Sequence, residues 1–132
     1  MGRATDQSIC VLVVENHDEV RALIANVVVE QGWQALQAVG ISEALRYLKE
    51  HHIDAIISDW ELNDGDGRSL LEAAGRTGGH RIPVVVVSSY ASPELREEAI
   101  KAGAIDLLEK PFRIEQLTGL LNSGLQQAAA LV

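Results

Sequence analysis

The sequence predicts an α/β fold, an open doubly wound five-stranded parallel sheet of (βα)5 organisation. Short apolar runs rich in β-branched residues recur five times, and segments of helical period fill each interval between them. Strict alternation of this kind requires parallel strands joined by long right-handed crossovers. With 132 residues the chain holds five such units, short of the eight that a closed barrel needs.

The strands are expected at residues 9–14, 33–39, 53–58, 82–88 and 104–108. The first, third and fourth are nearly continuous in apolar residues, the pattern of strands covered on both faces. The first helix carries Val20, Leu23, Ile24, Val27 and Val28 and stops at Gly32. The second has Ile41, Ala44, Leu45 and Leu48, with Ser42 as its N-cap. Leu70, Leu71 and Ala74 mark a shorter third helix that ends in Thr77, Gly78 and Gly79. The fourth opens with Ser92 as N-cap, Pro93 at the first helical position and Glu94 in the first turn, and closes at Gly103. The fifth aligns Ile114, Leu117, Leu121, Leu125 and Ala128 on one stripe. Residues 1–8 read as an N-terminal extension, 9–125 as the domain, and 126–132 as a helix extension or tail.

An apolar fraction of 47% with 23% charged residues excludes a disordered or collagenous chain. Acidic residues outnumber basic ones 19 to 11, a net charge of −8. That excess opposes contact with nucleic acid or an anionic membrane, because no cationic field is available to displace counterions. It suits a solvated acidic surface or a carboxylate site for a cation. Cys10, the only cysteine, permits no intrachain disulfide and reads as a buried, inert thiol. No apolar stretch approaches the roughly 18 residues needed to span a bilayer, so a cytoplasmic protein is expected.

Ligand sites in open sheets lie outside the carboxyl ends of the strands, where strand order reverses. The first strand is followed by Glu15, Asn16, His17 and Asp18, the third by Asp59, Trp60 and Glu61, and the fifth by Glu109, Lys110 and Pro111; the fourth ends at Ser88 and Ser89. The second ends in Val39 and Gly40, without such chemistry, as an edge strand should. Carboxylate oxygens suit a hard divalent cation such as Mg²⁺, which keeps positions for water and phosphate oxygens. A lysine and a hydroxyl nearby can take the other oxygens of a phosphoryl group. An aspartate there can act as nucleophile and form an acyl phosphate.

Through VLVVENHDEVR at the first strand, IISDWELNDGDG at the third, PVVVVSSYA at the fourth and AGAIDLLEKPF at the fifth, the chain resembles the receiver domain of two-component response regulators, the CheY-like superfamily. The resemblance covers roughly residues 9–122 and implies a flavodoxin-like strand order of 2-1-3-4-5. It implies that Asp59 accepts a phosphoryl group and that Glu15 and Asn16 occupy the metal-binding pair. Mg²⁺ is then held by these two, by Asp59 and by the Glu61 carbonyl. Ser88, with Ser89 beside it, takes the place of the hydroxyl that bonds the phosphoryl group, and Lys110 that of its lysine partner. The Lys110–Pro111 bond matches one that is cis in the family, and Gly67 the glycine closing the loop after Asp59. Ser88 and Leu107 fall on the switch positions. The implied partners are a sensor histidine kinase or histidine phosphotransfer protein upstream and a protein target or fused output domain downstream. The implied catalysis is confined to the chain's own phosphotransfer and autodephosphorylation.

Three positions depart from that pattern. Asn16 stands where the second metal-binding aspartate is usual. An amide oxygen still coordinates Mg²⁺, but a unit charge at about 4 Å is worth about 1 to 4 kcal/mol, so weak metal binding is expected. The Glu61 side chain is a candidate to return part of that charge. Leu107 replaces the frequent aromatic switch residue and can only repack, and Asn63 replaces a frequent loop proline. The remaining polar residues read as ordinary surface. Asp64 and Asp66 are expected to be solvated turn residues, since DWELNDGDG fits a calcium loop in neither register. His17, His51, His52 and His80 have no metal-site spacing, and Trp60 is expected to be a partly exposed loop aromatic.

Three functions fit these residues. One is a phosphorylation-dependent signalling switch. The second is a pseudo-receiver, a phosphorylation-independent interaction module, favoured by Asn16. The third is an aspartyl phosphatase with Glu61 as its acid, opposed by the lack of residues for a cap over the substrate.

Overall fold

In a computed structural model, which describes residues 8–76 and 81–130, five parallel strands form one sheet in the order β2-β1-β3-β6-β7. They are β1 (Cys10–Val14), β2 (Gln34–Ala38), β3 (Ala55–Asp59), β6 (Val84–Ser88) and β7 (Asp106–Glu109). As first to fifth strand this is the 2-1-3-4-5 order, with the order reversing between β1 and β3. The helices are α1 (Asp18–Glu30), α2 (Ile41–Glu50), α3 (Arg68–Arg76), α4 (Pro93–Lys101) and α5 (Ile114–Ala130). A two-stranded hairpin, β4 (Glu61–Leu62) with β5 (Gly65–Asp66), lies within what the sequence presents as a plain loop.

Successive side chains of a strand point to opposite faces, so continuous apolar strands feed two cores. Val11, Val13, Ile57, Val85 and Val87 pack against Ile24 and Val28 of α1 and Leu117 and Leu121 of α5. Leu12, Val14, Ile56, Val84 and Val86 pack on the other face against Ala44 and Leu48 of α2, Leu70 and Ala74 of α3, and Ala99 of α4. The edge strand β2 is the most exposed of the five, consistent with its polar Gln34 and Gln37.

Strand starts fall later than expected, for local reasons. Pro83 has no N–H to give the ladder, so β6 begins at Val84, although the Pro83 carbonyl still accepts from Ile56. Asp54 caps the entry to β3: its carboxylate accepts the Cys10 N–H at 2.8 Å. The N–H of Ala104 bonds Ala99 in the turn that ends α4, which delays β7 to Asp106. That turn passes through Gly103 at φ +117°, where a side chain would be strained. Ser92 caps α4 as expected, accepting the Leu95 N–H at 3.0 Å.

Two expectations are corrected together. Ser42 does not cap α2, because the helix already begins at Ile41 with Gly40 at the N-cap position. Asp64 is the cap instead, and not a merely solvated turn residue: its carboxylate accepts the N–H of Ile41 at 2.9 Å and of Ser42 at 3.0 Å from across the hairpin. A third correction concerns Trp60, which is buried rather than partly exposed, because it turns into the core beneath the Arg68 guanidinium. Cys10 is half-buried. Thr77, Gly78, Gly79 and His80 lie outside the described residues. Among the described residues no helix is long and apolar enough to cross a membrane.

Candidate functional site

Register assembles the site. Val14 pairs Ser58, Asp59 pairs Val87, and Ser88 pairs Glu109, so four strands end at one level. Backbone bonds just past the strand ends extend that level: Glu15 N–H to Ala38, Trp60 N–H to Val87 and Lys110 N–H to Ser88. Glu15, Asp59, Ser88 and Lys110 are thereby placed at one end of the sheet by four strands. The Lys110–Pro111 peptide is cis.

Lys110 lies between the two buried carboxylates. Its Nζ donates to Glu15 Oε1 at 2.7 Å and to Asp59 Oδ2 at 2.8 Å. Asp59 Oδ1 accepts the Glu61 N–H at 3.3 Å, and Glu15 Oε2 accepts the His17 N–H at 3.1 Å. Two buried carboxylates that share one ammonium cannot both be fully compensated. For Asp59, burial disfavours the charged form, the Lys110 bond only partly offsets this, and the charge of Glu15 adds to it; the carboxyl is pushed up to about 6. Burial acts on Glu15 in the same sense but is outweighed by Lys110 and the His17 N–H, which hold it below the usual carboxylate range. Burial likewise opposes the charge of Lys110, and its two carboxylate partners outweigh this and raise its pKa.

Asn16 follows Glu15 with its side-chain Oδ1 buried and without a hydrogen-bond partner among the described residues. An orphaned oxygen of this kind is costly unless a donor or a cation takes it. Together with the oxygens of Glu15 and Asp59 it makes a hard donor set that fits Mg²⁺. No group of three or more His, Cys, Asp or Glu side chains that could hold a metal ion occurs among the described residues.

Glu61 engages Ser88 with its side chain. Its carboxylate accepts from Ser88 Oγ, at 2.8 Å from Oε2 and 3.0 Å from Oε1. Ser88 is fully buried, whereas Ser89 is exposed. Leu107 is buried in β7 opposite Val86, among the residues that face α4. Gly67 returns its N–H to the Trp60 carbonyl at 2.9 Å, and a Cβ there would stand 3.3 Å from the Asp59 carbonyl oxygen, which explains the glycine. His17 Nδ1 lies within hydrogen-bond distance of Glu15 Oε2, at 3.1 Å, while His51 and His52 are exposed.

Arg21 and Tyr90 were not legible as site residues. The Arg21 guanidinium bonds the Glu15 carbonyl at 2.9 Å, Asp18 at 2.8 Å and Gln37 at 3.3 Å, tying the turn that carries Asn16 to α1 and β2. Its signal was an arginine one helical turn after the acidic cluster. Tyr90 acts through its backbone, whose N–H donates to Ser88 Oγ at 3.0 Å, and no side-chain pattern could reveal that.

An aspartate paired to a lysine and a second carboxylate, beside a buried serine at the C-terminal ends of a five-stranded doubly wound sheet, defines the CheY-like class. The chain belongs to the response regulator receiver domain family, whose profile matches residues 11–122. It is 33% identical over 114 residues to an NtrX-like response regulator of Rickettsia bellii, an alignment covering 85% of this chain and 24% of that protein. The chain thus spans about a quarter of that relative's length. Among solved structures, the receiver domain of the Francisella response regulator 1452 superposes with a TM-score of 0.82 at 29% identity, covering 91% of this chain and 98% of that one. The receiver domain of NtrC4, as a beryllofluoride-activated dimer, superposes with a TM-score of 0.83 at 26% identity, covering 90% and 98%.

Proposed function

We propose that this chain is a phosphorylation-dependent switch in which Asp59 takes a phosphoryl group from the phosphohistidine of a sensor histidine kinase or phosphotransfer protein. The observation that carries this reading is Lys110 bridging Asp59 and Glu15 at the end of the sheet beside a buried serine hydroxyl. An Asp59 carboxylate oxygen attacks phosphorus in line as the N–P bond breaks. The electron pair of that bond goes to the imidazole nitrogen, which takes a proton from solvent. Lys110 offers its charge to the transferring oxygens. Mg²⁺, held by Glu15, Asn16, Asp59 and the Glu61 carbonyl, would neutralise charge on the same oxygens. Hydrolysis of the acyl phosphate resets the switch, and no other catalysis is assigned.

The output is read by a protein target or a fused output domain, in keeping with the greater length of the Rickettsia relative. Ser88 and Leu107 transmit the change toward α4 by repacking. The acidic balance argues against a direct nucleic-acid or membrane contact by this domain, and a phosphohistidine donor would imply a cytoplasmic location.

Incubation with Mg²⁺ and a small phosphodonor should add one phosphoryl group to the intact mass and change Trp60 emission, and Asp59→Asn should abolish the added mass. No added mass and no emission change with phosphodonor or beryllofluoride would instead favour a pseudo-receiver. Asn16 is the residue that supports that second reading, because it removes one metal-binding charge.

A further inference from the structure

We propose that Glu61 is a positioning residue that occupies the Ser88 hydroxyl before phosphorylation and competes with the phosphoryl group for it. The inference rests on the reading of Asp59 as phosphoacceptor and adds a regulatory element to that site. A serine hydroxyl has one proton to donate. In this structure that proton faces both oxygens of Glu61, at 2.8 and 3.0 Å, while the Ser88 oxygen accepts the Tyr90 N–H at 3.0 Å. Ser88 is fully buried, so no solvent reaches it to exchange these partners freely. The hydroxyl is therefore satisfied on both sides with no phosphoryl group involved.

Glu61 is built to leave. It is exposed, lies in the two-residue strand β4 just past Asp59, and has Ser88 as the sole donor to its carboxylate among the described residues. A dianionic phosphoryl group on Asp59 would contest the same proton and would repel Glu61 by charge. Release into solvent then costs Glu61 no burial, and Ser88 passes from one anion to the other. Engagement of Ser88 is thus already present at rest, and phosphorylation changes the identity of the acceptor. The site trades ease of phosphorylation for a serine that is never idle.

A double-mutant cycle on beryllofluoride binding at saturating Mg²⁺ tests this, comparing the natural chain with Glu61→Ala, Ser88→Ala and the double variant. Removing the competitor should tighten beryllofluoride binding roughly 10-fold, about what one charge-assisted hydrogen bond corresponds to, and the gain should fall below about 2-fold when Ser88 is alanine. Glu61→Gln, which keeps an acceptor without the charge, should retain part of the competition. In the absence of ligand, the Tyr90 amide resonance should shift in Glu61→Ala as the Ser88 hydroxyl turns. Equal affinities for the natural chain and Glu61→Ala overturn the inference, and so does a gain that persists in the Ser88→Ala background, which would be bulk charge. Failure of every protein to bind beryllofluoride, an Asn16→Asp variant included, overturns the phosphoacceptor reading itself.

Discussion

Asn16 and Asp59 have opposite electrostatic problems. The amide of Asn16 brings an oxygen but no charge, and that oxygen is left buried and without a partner among the described residues. Replacing it with a carboxylate should strengthen Mg²⁺ binding roughly fivefold or more, since a unit charge a few ångströms from the cation is worth about 1 to 4 kcal/mol. A Mg²⁺ titration followed by Trp60 emission measures this, and an unchanged affinity for Asn16→Asp would contradict it. Asp59, by contrast, has charge it cannot fully keep. Its carboxyl is pushed up to about 6 from an ordinary 3.8, so the folded state holds the proton more tightly than the unfolded one. The stability contributed by that proton is present below about pH 4 and lost as pH rises through about 6. Metal-free Asp59→Asn should therefore gain stability relative to the natural chain as pH rises from 4 to 7, by on the order of 1–3 kcal/mol. Thermal unfolding across that range checks it, and a flat difference would show that Asp59 ionises normally.

Among the elements, α2 and α5 carry interactions that their own sequences conceal. The cap of α2 comes from Asp64, in the turn of the β4–β5 hairpin, so Asp64→Ala should cost about 1 kcal/mol in urea unfolding, although the residue is exposed. Ser42 looked like the cap because its residue type is right and it stands beside the apolar stripe; Asp64 could not be read, since its partners are distant in sequence. In α5, two glycines make opposite predictions. A Cβ at Gly119 meets nothing within 4 Å, so Gly119→Ala should stabilise by up to about 1 kcal/mol through helix propensity. A Cβ at Gly124 would stand 2.2 Å from Ile105 and 2.9 Å from Pro83, so Gly124→Ala should destabilise despite the same propensity gain. Paired unfolding curves decide this, and the same sign for both would refute the packing explanation. The helices and strands themselves were legible because their periodicity records which faces are buried. Their ends were less so, because each turns on one local group: the missing N–H of Pro83, the Asp54 carboxylate and the Ala104 N–H.

For the molecule as a whole, strand order and strand-end chemistry were readable for one reason: a doubly wound sheet obliges its loops to gather polar residues at one edge. Glu15, Asp59, Ser88 and Lys110 could be named because each directly follows or ends an apolar run. The side-chain directions there were not readable. The bond between Glu61 and Ser88, for instance, depends on distances that a linear sequence does not carry. The burial of Trp60 was hidden for the same reason, as its neighbours in sequence are polar while its neighbours in space are core. The Asp64 link has a consequence on the time axis. The amides of Ile41 and Ser42 are held by the hairpin that follows the phosphoacceptor, so their hydrogen–deuterium exchange should keep pace with the opening of that hairpin rather than with the fraying of α2. Exchange at these two amides then becomes a clock for motion beside Asp59, read from the first turn of α2, and Asp64→Ala should speed both amides while leaving the rest of α2 slow.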